Sequence, residues 1–131
     1  MEEGIIARLL ATSGVTALVS TRVSPGRRPQ ASALPAIDVN TISGAPVYTD
    51  DGESGLASAR VEINCWGQTY SSAKLVARAV KAALSAFVGE SAGITFQNVL
   101  LDDERDFSET GSNAAEYLFS TNLDFIVWFK N

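Results

Sequence analysis

Two runs of carboxylates hold the side chains best suited to chemistry: Asp102, Asp103, Glu104 and Asp106, and, earlier in the chain, Asp50, Asp51 and Glu53. Oxygen-rich clusters of this kind suit Mg²⁺ or Ca²⁺. Neither matches the D-x-[DN]-x-[DN]-G spacing of a calcium loop. On a regular strand, Asp102 and Glu104 share one face while Asp103 opposes them, so the carboxylates do not converge. A solvated acidic surface is the simpler reading. Other reactive types are scarce: the 131 residues include no histidine, one cysteine and one methionine. That removes the commonest general base, every His-containing zinc site and any Ser-His or Cys-His nucleophile. Cys65 falls on the apolar side of an alternating segment, where a structural thiol is expected. Arg27 and Arg28 could touch an anionic partner or could serve only as soluble surface. No phosphate-cradling glycine motif is present. The reading is a chain with no catalytic residue, cofactor or metal: an interaction domain.

The surface chemistry is uneven. Residues 69–88 carry Lys74, Arg78 and Lys81 and no acid, a net charge of +3. Residues 90–124 carry eight acids against Arg105, a net charge of −7. These are either two solvated faces of a monomer or complementary faces of a head-to-tail oligomer. The overall charge of −5 argues against tight nucleic-acid binding. A length of 131 residues with 46% hydrophobic and 19% charged residues predicts a single domain, 1–131, with one modest core. Glu2 and Glu3 stand where a signal peptide needs positive charge, and no apolar run is long enough to span a membrane. A cytosolic site of assembly is expected.

The elements that must position these groups follow from periodicity. Residues 3–12 show Ile5, Ile6, Leu9 and Leu10 at helical spacing, and Ser13 offers an N-cap for a short helical piece from Val15 to Val19. Thr21 to Ser24 reads as a brief strand and Pro25 to Gln30 as an exposed loop. Ile37 and Val39 alternate with Asp38 and Asn40 up to Ile42. Residues 44–55, which include Tyr48, read as a long hairpin loop or flexible arm. Ala57, Ala59, Val61, Ile63 and Cys65 alternate strictly with polar residues, a strand with one face on a core. Trp66 falls on its polar side, where an edge or interface tryptophan is favoured. A helix from about Ser71 to Val88 carries an Ala- and Val-rich stripe, capped by Thr69 or Ser71 and stopped by Gly89. It is roughly 27 Å long, enough to cross four strands. The alternation of residues 94–101 slips at Gln97-Asn98, which predicts a β-bulge. Residues 108–116 read as a polar loop. Tyr117 to Lys130 is a long strand, with Ile126 and Trp128 suggesting cover on both faces at its end. The predicted fold is α+β: a mainly antiparallel sheet of about four to five strands covered by one long helix, plus an N-terminal helix.

Several of these segments, taken in order, resemble a family of small tail-completion, or tail-terminator, proteins of long-tailed (siphovirus-like) bacteriophages. They are Arg22-Val23-x-Pro25, Leu34-Pro35-Ala36-Ile37, Ser43-Gly44, Ala59-Arg60-Val61-Glu62-Ile63-Asn64-Cys65-Trp66, Thr69-Tyr70-x-x-Ala73 and Leu123-Asp124-Phe125-x-Val127-Trp128. The similarity spans nearly the whole chain, with Ser24 standing where an aromatic is frequent. The resemblance implies a virion protein, assembled in the host cytoplasm, that forms a homo-oligomeric ring, usually a hexamer, at the head-proximal end of the tail tube. Its implied partners are further copies of itself, the major tail-tube protein and the head-tail connector or stopper protein, with DNA passing through the lumen unbound. The interface candidates are Arg27, Arg28, Tyr48, Asp50, Asp51, Glu53, Trp66, Lys74, Arg78, Lys81, Asp102, Asp103, Glu104 and Asp106. The alternatives are a neighbouring head-completion (stopper) ring and, from another class, a small ligand-binding or hydrolase domain.

Overall fold

Strand alternation decides which side of this molecule is covered. In the computed structural model, which describes residues 1–26, 34–49, 52–110 and 117–130, every apolar position of the strict alternation except the half-buried Ala57 is buried. Ala59, Val61, Ile63 and Cys65 of one strand join Leu123, Phe125 and Val127 of another in a single core. The polar positions between them lie on the opposite face. The elements run α1 (Glu2–Leu10), α2 (Ser13–Val19), β1 (Val23–Pro25), β2 (Ala36–Thr49), β3 (Gly52–Gly67), α3 (Tyr70–Leu84), β4 (Gly89–Ser91), β5 (Ile94–Thr110) and β6 (Tyr117–Lys130). Within the described residues they form one six-stranded sheet in the order β1-β2-β3-β6-β5-β4. All pairings are antiparallel except β1 with β2, which is parallel.

The α+β class holds, but the strand count and the single covering helix do not. Six strands replace the expected four to five, because Gly89, expected to stop the long helix, instead opens β4. Three helices share the covered face. α3 ends at Leu84 after 15 residues, about 22 Å rather than 27 Å, and leaves part of the sheet to α1 and α2. Ile5, Leu9, Val15 and Val19 of those two helices fill that part of the core. Gly4 allows the close approach: a Cβ there would lie 2.8 Å from the Phe96 ring. Thr69 caps α3 as expected, accepting the Ser72 N–H at 3.0 Å. Ser13 is the first residue of α2 rather than its cap, and Thr12 occupies the cap position.

Residues 44–55 are a second correction. Where they are described they belong to a β-ladder, not a loop: Tyr48 pairs with Glu53 and Thr49 with Gly52. This β2–β3 hairpin runs past Leu56, the last β3 residue paired to β6. At the opposite end of the sheet the β5–β6 hairpin runs past Gly67↔Phe119 to Thr110↔Tyr117. Residues 108–110, read as loop, are therefore strand, and 111–116 lie outside the described residues. The predicted bulge is present: the register shifts between Phe96 and Asn98, leaving Gln97 as the extra residue. Three more shifts occur: one makes Asp102 an extra residue on β5, one makes Ile42 an extra residue on β2, and one lies between Pro46 and Tyr48. Ile126 and Trp128 are half-buried on the open face rather than covered.

Candidate interaction surfaces

The bulge at Asp102 changes where the acidic run points. After it, Asp103 stands opposite Asp124 and Glu104 opposite Leu123. Glu104 and Asp106 thus face the helices, whereas Asp102, Asp103 and Arg105 face away. The expectation that Asp102 and Glu104 share a face is overturned, because a bulge inverts the phase of everything beyond it.

On the helix side, the basic stripe of α3 meets the acids of β5 within the same chain. Lys74 Nζ lies 2.9 Å from Asp106 Oδ1 and 3.2 Å from Glu104 Oε2, and Lys81 Nζ lies 2.7 Å from Glu104 Oε1. Thr121 Oγ1 donates to Asp106 at 2.9 Å, and Lys74 sits 5.6 Å from the centre of the Tyr70 ring. The hydrogen bond from Lys81, with that from Lys74, holds the Glu104 carboxyl below its ordinary range against the opposing effect of burial. At Asp106 burial pulls upward, but the bonds from Lys74 and Thr121 outweigh it and the carboxyl is also lowered. Lys74 is raised, chiefly by its bond to Asp106. Arg78 remains exposed, with no ion pair among the described residues.

On the open face, Arg60 and Arg105 thread a line of carboxylates. Arg60 reaches Asp102 at 2.7 Å and Asp124 at 3.4 Å. Arg105 reaches Asp124 at 3.2 Å, Asp103 at 3.4 Å and Glu62 at 3.5 Å. The bond to Asp102 raises Arg60 further above its already high value. Four acids against two arginines leave this face acidic. Farther along it, Asp38 is 3% exposed. Its carboxylate accepts from Asn40 Nδ2 at 3.0 Å, Asn64 Nδ2 at 2.7 Å and Trp66 Nε1 at 2.9 Å. Trp66 is thus half-buried and anchored through its indole N–H. A shallow depression of about 260 Å³ near the β2 edge is lined by Ser43, Gly44, Ser58, Ala59, Arg60 and Ile126. Its ionisable group, Arg60, is already engaged by Asp102.

Of the sequence candidates, then, Lys74, Lys81, Glu104 and Asp106 converge on one face, Asp102 and Asp103 lie on the other, and Arg78 is alone on the outer ridge of α3. Tyr48 and Glu53 are ladder partners in the projecting hairpin. Arg27, Arg28, Asp50 and Asp51 lie outside the described residues. Sequence reasoning missed Arg60, Glu62, Asp124, Asn64 and Asp38. Their polar phase on strict strands was the available signal. No cluster of three or more metal-ligating side chains occurs among the described residues. Cys65 is fully buried, and burial pushes its thiol well above the usual range.

These features define an α+β subunit whose ionic groups are spent on its own faces rather than gathered into a reactive centre. The family of tail completion protein gp17 matches residues 3–129, and the chain belongs to that family. It is accordingly a structural component of a phage-like virion tail. Among solved structures, the fold is shared with a chain from the virion of a native gene transfer agent (GTA) particle. The two are 18% identical with a TM-score of 0.75, over 98% of this chain and 92% of that one. No curated protein matches the chain.

Proposed function

We infer that the protein is a tail terminator: it forms a ring, of six copies in the usual arrangement, at the head-proximal end of the tail tube. There it stops tube growth and offers the opposite surface to the head-tail connector. The observation that carries this reading is the family match from residue 3 to residue 129. The function is docking and self-association, with no reaction. The ring is held by something other than the expected attraction between a basic α3 and an acidic C-terminal half, because Lys74 and Lys81 already bind Glu104 and Asp106 of their own chain. Asp102, Asp103, Glu62 and Asp124 line the lumen, where their charge repels the DNA backbone and lets it slide. A ring with a basic lumen would overturn that assignment.

Negative-stain microscopy of the purified protein mixed with tail-tube subunits tests the reading. Short tubes bearing a ring at one end are expected. Unrestricted tube growth, with the protein instead co-purifying with portal and adaptor proteins, would assign it to the head-completion ring.

A further inference from the structure

A sheet with two long outer strands usually shields them, because a row of free N–H and C=O groups invites another chain to pair. Here the shields are three-residue strands. β1 covers β2 only from Ile37 to Val39, and β4 covers β5 only from Ile94 to Phe96. Ala86 N–H adds one bond to Val99 O at 2.7 Å. Beyond these points, among the described residues, β2 from Asn40 to Thr49 and β5 from Leu100 to Thr110 have no outer backbone partner. The β2 stretch contains no charged residue, and its one blunting device is Pro46. Half of the exposed large apolar side chains among the described residues lie on the same two stretches: Ile42 is 55% and Phe107 52% exposed, with Leu100 and Leu101 also exposed.

We propose that these two open edges are the joint between neighbouring copies: β5 of one subunit pairs with β2 of the next, so that the sheet continues from subunit to subunit. The proposal rests on the ring reading above and names its interface. Strand direction favours it. From β2 through β3 and β6 to β5 the direction alternates, so β5 and the next copy's β2 meet antiparallel when copies are related by rotation about the ring axis. This contact is heterologous and can close.

Geometry favours it as well. The openings are diagonal to one another. Their midpoints fall beside Asn64 for β5 and between Ser58 and Ala59 for β2, following the pairings across the sheet. Bringing them level shifts neighbours by roughly five to six residues, about 18 Å along the strands, across four strands spanning about 19 Å. The resulting tilt of roughly 45° agrees with the 35–45° typical of closed barrels. The extra residues Ile42, Gln97 and Asp102 sit on these same two strands, where bulges add curvature.

Cysteine pairs test the joint, since the native Cys65 is fully buried. Thr41→Cys or Ser43→Cys on β2 is combined with Phe107→Cys on β5, the protein is assembled on tail tubes and oxidised, and the products are sized. At least one double variant is expected to give a ladder of covalent multimers, with each single variant giving none. Covalent dimers from single variants would mean a two-fold contact and would overturn the proposal. Hydrogen exchange on the unmodified chain guards against failed cross-linking or misfolded variants. Amides of Asn40–Thr49 and Leu100–Thr110 are expected to slow at least roughly tenfold on assembly. A ring in which both stretches exchange as in the monomer overturns the edge joint while the terminator reading stands. A chain that stays monomeric and leaves tube growth unchanged overturns both.

Discussion

Asp38 concentrates more structural consequence than any other polar residue described. Three donors from β2 and β3 converge on one nearly inaccessible carboxylate, and hydrogen bonds to a charged group contribute about 1.5–3 kcal/mol each. Asp38→Ala would strand the Asn64 and Trp66 donors, so a loss of about 2–4 kcal/mol is expected from urea denaturation. The Glu104 and Asp106 pairs are more exposed and weaker, about 0.5–1 kcal/mol each. Their pH dependence has a definite sign. Both carboxyls are lowered in the folded chain from ordinary values of 4.5 and 3.8. Their stabilisation is therefore complete above those values and fades as pH falls through the lowered ones. Glu104→Gln should be less stable than the parent near neutrality, with the gap narrowing as pH falls below 4.5 toward the lowered value in parallel acid titrations.

At the scale of elements, the join between β3 and α3 is tightly set. A Cβ on Gly67 would lie 2.6 Å from the Ala73 backbone nitrogen and 2.9 Å from Ser72 Cβ, and neither is the end of a flexible side chain. Gly67→Ala should push α3 off its cap and lower stability by about 1–3 kcal/mol, read as a drop in thermal midpoint by circular dichroism. How far sequence reached is clearest in β5. The slip at Gln97-Asn98 was legible because apolar residues flank it and mark the phase. The slip at Asp102 was not, because five consecutive charged residues carry no apolar phase to compare. β4 was invisible for the same reason, Gly-Glu-Ser having no period. The hairpin beyond Ser43 was misread because Gly and Pro signal turns locally, whereas ladder pairing with a neighbouring strand overrides them.

At the scale of the whole molecule, composition located the charge and left its destination open. A basic stretch and an acidic stretch far apart in sequence announce attraction, but whether they meet within one chain or between two depends on the fold. Here α3 lies across β5 and the attraction is largely internal. In the proposed ring, backbone groups along two open edges would supply what the charges do not.

The two hairpins leave the sheet at opposite ends and are unlike in chemistry: one tip is built around Gly-Ala-Pro-Val-Tyr-Thr, the other around Phe-Ser-Glu-Thr. A collar of such copies, as proposed above, would therefore have an upper rim and a lower rim that are not interchangeable. In the proposed collar, a rim shaped for the last layer of a tube would not fit the opposite rim of another collar, and stacking would halt after one layer. Polarity of the subunit, rather than any timing or reaction, would then measure out a single terminal layer.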